Sequence, residues 1–124
     1  MFQNCSRLKT IIIPNTTTFV WNTTAYSNNV EKIIIPRFTG TPSGASSISF
    51  YGHLKFLDFG KSGLINSNVS LSLCTNLKYL ILRKSDTITP LDNVSRIGGS
   101  PLMFVPQSMI TSYETGTNWA SLDL

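Results

Sequence analysis

The 124-residue sequence has little of what most enzymes and membrane proteins depend on. It contains one histidine and two cysteines, and only 13% of its residues are charged. No apolar run approaches the ~20 residues that a membrane-spanning helix needs, and the first residues, MFQNCSRLK, lack the apolar core of a signal peptide. We therefore predict one domain with no direct membrane insertion, whose export would depend on a missing N-terminal part, on a partner or on release by lysis.

Runs of like charge are also missing. The net charge is +4, but the ten basic residues are scattered singly, and Arg83-Lys84 is the only adjacent pair. Nucleic-acid-binding domains usually concentrate basic residues in a patch or run. We therefore predict no nucleic-acid partner, and we interpret these charges as a solvated surface.

What the sequence does contain is a repeated apolar phrase, seen first as KTIIIPN at 9–15 and EKIIIPR at 31–37. The last apolar residue of the phrase recurs at intervals of 22, 24, 23 and 23 residues. An L-x-x-L-x-L phrase with a period of about 20 to 29 residues is the signature of leucine-rich repeats. Its copies are Leu8-Ile11-Ile13, Val30-Ile33-Ile35, Leu54-Leu57-Phe59, Leu77-Leu80-Leu82 and the imperfect Ser100-Met103-Val105.

The phrase predicts a short strand followed by a stop. Its last two apolar positions flank one outward residue, as in a β-strand, and Pro14, Pro36 and Pro106 follow with no N–H for a sheet ladder. One copy cannot cover its own apolar face, so copies stack. We predict a leucine-rich-repeat solenoid with five short parallel strands in one sheet, irregular convex loops and a short C-terminal helical cap. The single domain, 1–124, divides into repeats at about 1–26, 27–50, 51–73 and 74–97, with the terminal strand and cap at 98–124.

A family resemblance adds to this interpretation. The L-x-x-I-x-I-P phrase, the preceding FQNCSRL at 2–8 with its variant LSLCTNL at 71–77, and the tail at 101–122 together resemble the C-terminal part of a BspA-like leucine-rich-repeat array. Such repeats occur in bacterial surface proteins and some phage proteins. The sequence departs from that family at 19–26 and 41–52, where the usual I-G-x-x-A-F stretch is degenerate. The resemblance implies an attachment function at a cell surface or in a phage tail or virion.

The two ends of the array differ. Pro106 suits the first turn of a helix and Gly116 its end, and we expect that helix, with Trp119, to cover the open end of the solenoid. No such element precedes the first strand, so its edge is expected to be exposed and to stack on upstream repeats or on another chain. The apolar face of the C-terminal helix is predicted to combine Met109, Ile110 and Tyr113.

The cysteines are predicted to remain unbridged. Cys5 and Cys74 occupy equivalent positions three turns apart, which places them about 14 Å from each other for strands ~4.8 Å apart. A disulfide requires less than about 7 Å between the two Cα atoms. With a single histidine distant in sequence, they also form no metal site, and we expect no cofactor.

Catalysis is not predicted. His53 is the only imidazole, it directly precedes a strand, and no Gly-x-Ser-x-Gly elbow accompanies it. Among the six acids, only Asp58 falls on the outward strand column, where no second carboxylate opposes it for glycosidase chemistry.

The outward columns of the sheet carry the candidate binding residues. An exposed apolar and aromatic patch usually marks an interface, and Tyr and Phe are common anchors in one. The alternatives are that these residues are favoured on strands, or that another part of a longer protein covers them. The candidate residues are Ile12, Lys32, Ile34, Phe56, Asp58, Tyr79, Ile81 and Phe104.

We therefore predict a non-catalytic binding or adhesion module that recognises protein or glycan through this outward face. The alternative is a structural spacer or assembly unit of a larger surface protein or phage particle. In both cases the resemblance implies an extracellular, cell-surface or virion location within a larger protein or assembly.

Overall fold

The fold is known from a computed structural model, in which the elements lie where the apolar phrase predicts strands. Cys5, the first six residues and most of the convex segments fall outside the described part of the chain, so the predictions for them stay predictions. The structure describes residues 7–15, 29–39, 52–61, 65 and 71–122.

The described residues form one sheet of five parallel strands, and the strand order in the sheet is the order along the chain. Each strand pairs with the next in a constant register, so that the middle residues of β1 to β5 lie side by side. The predictions of five short parallel strands in one sheet and of a short C-terminal helix are confirmed. The strands are β1 (Thr10–Ile12), β2 (Lys32–Ile34), β3 (Phe56–Asp58), β4 (Tyr79–Ile81) and β5 (Leu102–Phe104).

The same hydrogen bond recurs between successive strands just after each strand ends. The amide N–H of Ile13 donates to the carbonyl of Ile34 over 2.9 Å, and the N–H of Ile35 donates to Asp58 over 3.1 Å. Phe59 and Leu82 donate in the same way to the carbonyls of β4 and β5. Residues at this position therefore line up, although more than 20 residues of chain separate each from the next.

The inward side of the sheet forms the core because alternate strand positions face it. The middle residues Ile33, Leu57 and Leu80 are fully buried. The first and last apolar residues of the same three phrases are buried too: Val30, Ile35, Leu54, Phe59, Leu77 and Leu82. At the two ends of the sheet, Ile13 and Val105 are only half-buried. Within the described residues β1 and β5 each pair with one strand only, so the side chains beside them are covered by a neighbouring coil on one side only.

The segments that return from one strand to the next also pair with each other. Ile65, after β3, forms a parallel bridge with Leu91, after β4, and Leu71 forms another with Ile97. All four side chains are buried. Beside β3 to β5 the core is therefore enclosed by the sheet on one side and by these return segments on the other.

The C-terminal segment packs on a return segment through two hydrogen bonds to one residue. The Tyr113 hydroxyl accepts the backbone N–H of Thr89 over 2.9 Å, and the Trp119 indole N–H donates to the Thr89 carbonyl over 2.7 Å. The two rings meet edge to face at 5.3 Å, and both side chains are buried. The elements are a 3₁₀ helix (Gln107–Met109), helix α1 (Ile110–Thr115) and a second 3₁₀ helix (Trp119–Ser121).

Two expectations for this end need correction. Ile110 is 45% exposed, because the buried face of the segment is built from Met109 and Tyr113 without it. The segment bonds to the return segment at Thr89, whereas Val105 beside β5 stays half-buried, so the cover over the last strand is partial. The expected end of the helix at Gly116 is confirmed.

Candidate binding face

We call the outward side of β1 to β5 the outward face. Its residues precede and follow the middle residue of each strand, which is buried in β1 to β4 and half-buried in β5, and most of them are exposed or half-buried. The constant register brings seven of the eight predicted residues onto this face as exposed or half-buried groups: Ile12, Lys32, Ile34, Phe56, Tyr79, Ile81 and Phe104.

Three rings on this face form an aromatic ladder, which we define as Phe56, Tyr79 and Phe104. Phe56 and Tyr79 are direct cross-strand partners with ring centroids 6.0 Å apart, and Phe104 lies diagonally from Tyr79 at 6.2 Å. Both distances lie in the range of favourable tilted aromatic pairs. Phe104 nevertheless remains 51% exposed and Tyr79 39% exposed, so the ladder presents apolar area to solvent.

A positive charge begins the ladder. The Lys32 ammonium lies 5.1 Å from the centroid of the Phe56 ring, within the distance at which the ring quadrupole attracts a cation. Lys32 pairs with Phe56 in the sheet register. The face therefore combines a cation and three rings in one continuous row.

Asp58 departs from the expectation of an exposed outward residue. It occupies the outward column, but its side chain is only 2% exposed, because Arg83 covers it. The Arg83 Nη2 donates to Oδ2 over 2.7 Å and Nε donates to both carboxylate oxygens over 3.0 Å. This hydrogen bonding raises the pKa of Arg83, so the guanidinium stays protonated. Asp58 is therefore a buried ion-pair partner and not an exposed contact residue.

The loop after β3 is shaped to hold this ion pair. Gly60 donates its N–H to Asp58 Oδ1 over 3.2 Å and accepts the Arg83 N–H over 2.7 Å. Its φ is +58°, and a Cβ there would lie 2.5 Å from the Ile35 carbonyl oxygen. Glycine is needed because an L side chain is disfavoured at this φ and would collide with the neighbouring backbone.

Basic residues line the N-terminal ends of the strands, which we call the N-terminal rim. The carbonyls of Lys9, Glu31 and Lys55 each accept N–H groups from the next strand's rim position, which places Lys9, Glu31, Lys55 and Lys78 in one row. Glu31 forms an ion pair with Lys55 at 3.3 Å. Lys9 and Lys78 are exposed.

A second basic row lines the C-terminal ends of the strands, the C-terminal rim. Arg37, Lys61 and Lys84 each stand two residues after the last apolar residue of their phrase. Lys61 and Lys84 lie together on a groove of about 360 Å³ that Thr39, Ser85 and Asp86 also line. Sequence reasoning missed this rim because its three residues lie 24 and 23 residues apart in the sequence, although their shared offset from the apolar phrase was visible.

A smaller groove of about 290 Å³ lies at the C-terminal ends of β4 and β5. Phe104 of the aromatic ladder and Arg83 of the ion pair both line it. Its remaining walls are mostly aliphatic: Ile81, Leu82, Val105 and Pro106. Arg83 therefore contributes both to this groove and to the ion pair, and its Nη1 takes no part in the bonds to Asp58.

The other candidate reactive groups lie apart from this face. His53 is exposed in the turn before β3. Burial raises the pKa of the Cys74 thiol to about 12, so thiolate chemistry is strongly disfavoured there. Within the described ranges, no group of three His, Cys, Asp or Glu side chains is placed to hold a metal ion. The helices of that same part of the chain include none that is long and apolar enough to cross a membrane.

Comparison of the chain with known protein families, with curated proteins and with solved structures finds no match in any of the three. The functional interpretation therefore depends on the geometry of the outward face and its two rims.

Proposed function

We propose that the chain is a leucine-rich-repeat solenoid that serves as a non-catalytic binding module through its outward face. The solenoid is supported by strand starts spaced 22, 24, 23 and 23 residues apart and by the constant register between neighbours. The parallel bridges between return segments give independent support. Each coil then covers the apolar side of the next.

The observation that carries the binding function is the exposure of the aromatic ladder. Its three rings, with Ile12 and Leu102 at 59% and 60% exposure, contribute nothing to the core. Exposed apolar area of this kind has a hydration cost that a partner would remove. Protein and glycan are the partner classes, since aromatic side chains anchor protein interfaces and present flat apolar surface to sugar rings.

Two observations make catalysis by the polar groups of this face the weaker hypothesis. Asp58, its only carboxylate on a strand, is committed to Arg83. His53 lies outside the strands in an exposed turn. By resemblance to BspA-like repeats, the binding would serve attachment of a bacterial surface protein or a phage particle.

A second function, a spacer or assembly unit, is favoured by the ends of the sheet. In the described part of the chain, β1 and β5 each pair with one strand only, and Ile13 and Val105 are half-buried beside them. Further repeats or a second chain at these edges would complete the cover. An assembly unit of this kind would in addition have its outward face buried within a larger particle.

The experiment compares two triple variants on arrays of immobilised glycans and purified proteins. The ladder variant carries Phe56→Ser, Tyr79→Ser and Phe104→Ser. Its control carries Leu73→Ser, Val94→Ser and Ile110→Ser, which removes three exposed apolar side chains that lie off the strands.

The binding module predicts that ligands bound by the wild type are lost in the ladder variant and kept in the control, with both proteins monomeric in sedimentation. Binding that survives in the ladder variant would contradict this function. A wild-type oligomer that dissociates only in the ladder variant would support the assembly unit instead.

A further inference from the structure

We infer that the partner of the outward face is a protein surface with apolar side chains surrounded by carboxylates. This inference rests on the binding function proposed above and names the class of partner. It is carried by the distribution of charge around the aromatic ladder.

Charge on this molecule is concentrated at the sheet. Within the described residues, β1 to β4 and their two rims carry eight basic side chains and three acidic ones. Two of those acids are occupied, because Glu31 pairs with Lys55 and Asp58 with Arg83. The third, Asp86, lines the groove of the C-terminal rim and offsets part of its charge. The basic residues are Lys9, Lys32, Arg37, Lys55, Lys61, Lys78, Arg83 and Lys84.

Of the two remaining basic residues, Arg7 is exposed before β1. Away from the sheet, Arg96 pairs with Asp92 at 2.9 Å on a return segment. The excess positive charge of the molecule therefore flanks the outward face on both sides. A complementary partner must carry negative charge on both sides of its contact.

A protein fits this face better than a glycan or a nucleic acid does. Four aliphatic side chains, Ile12, Ile34, Ile81 and Leu102, share the face with the three rings. The rings pack against each other at tilts of 49° and 43°, so a base cannot insert between them. An apolar centre with a charged rim is the usual anatomy of a protein interface.

The groove beside Phe104 gives this partner a specific anchor point. Its apolar walls suit one apolar side chain of the partner. Arg83 also lines the groove, and since its side chain is 49% exposed we expect it to bind a carboxylate of the partner. Arg favours such paired contacts because its planar guanidinium presents several donors. A second copy of this chain is disfavoured as the occupant, since two basic rims would face each other.

The test selects binders without assuming a ligand. A random 12-residue peptide library is panned against the immobilised full chain, and synthetic copies of the enriched peptides are measured by titration. We expect these peptides to combine Asp or Glu with aromatic or aliphatic residues, and to bind more weakly as salt rises.

Two charge variants make the measurement specific. The rim variant, Lys61→Gln with Lys78→Gln, removes one exposed charge from each rim. Its control, Thr111→Glu with Ser112→Glu, changes the net charge equally on exposed positions of α1. We expect about a tenfold loss of affinity in the rim variant, slower association, and less than a twofold change in the control.

Three outcomes would overturn the inference. Enriched peptides that lack acidic residues and bind the rim variant normally would refute the acidic partner but not the proposed binding function. Heparin or an oligothymidylate that binds more tightly than any peptide and tolerates the ladder variant would indicate a non-protein polyanion. Peptides that bind the ladder variant as well as the wild type would refute both the inference and the proposed function.

Discussion

The two faces of the sheet are built from neighbouring residues of the same strands, yet different demands act on them. Ile33, Leu57 and Leu80 point inward and are fully buried. Tyr79 and Leu102, on the other side, remain exposed. The inward side is determined by stacking, because each side chain must fill the space between two coils. The outward side contributes little to folding, so its composition reports on what the protein contacts.

The largest difference is expected between two identical substitutions on opposite faces. Leu57→Ala removes a fully buried side chain from the central strand and should lower the free energy of unfolding by about 2 to 5 kcal/mol. Leu102→Ala, on an outward position of β5, should change it by less than about 0.5 kcal/mol. Urea unfolding followed by circular dichroism measures both. Equal losses would contradict the assignment of the two faces.

The loop at Gly60 tests whether the backbone at the edge of the outward face requires glycine. Gly60→Ala should destabilise the protein by about 2 kcal/mol or more, because an L residue is strained at this φ and its Cβ would meet the Ile35 carbonyl. Gly52→Ala is the matched control, since nothing lies within 4 Å of a Cβ there. Unfolding midpoints that fall equally for both variants would refute the close approach.

Asp58 is the outward residue that behaves like an inward one. Arg83→Met would leave the buried Asp58 carboxylate without its main partner and should lower the free energy of unfolding by about 1 to 3 kcal/mol. The partial exposure of Arg83 reduces this loss. Adding Asp58→Asn to that variant should recover part of the loss, because the group left behind is then neutral. Urea unfolding of the single and double variants measures this, and the absence of recovery would contradict a buried charge.

The exposed ion pair on a return segment gives the smallest expected effect. Arg96→Met removes the partner of Asp92 four residues away. Exposed pairs at this spacing contribute only about 0.3 to 0.5 kcal/mol. The same urea titration should show a loss within that range. A loss as large as that of Arg83→Met would mean that burial does not distinguish the two pairs.

Sequence alone was sufficient for the strands and for the alternation of buried and exposed residues, because both follow from one apolar phrase repeated in register. It was not sufficient for Asp58, whose cover comes from an arginine 25 residues later. Nor could it place Ile110 outside the buried face, since that depends on how the C-terminal segment meets Thr89. The C-terminal rim was missed for a related reason, because its residues lie in different phrases and become neighbours only after the strands align.

Hydrogen exchange measured by NMR on four backbone amides tests the stacking of coils most directly. The N–H groups of Ile13, Ile35, Phe59 and Leu82 each donate to a carbonyl of the next strand, so all four should be protected from exchange, with Ile13 at the edge the least protected. Exchange of Ile35, Phe59 and Leu82 at the rates of an unstructured chain would contradict the stacked sheet and the outward face that depends on it.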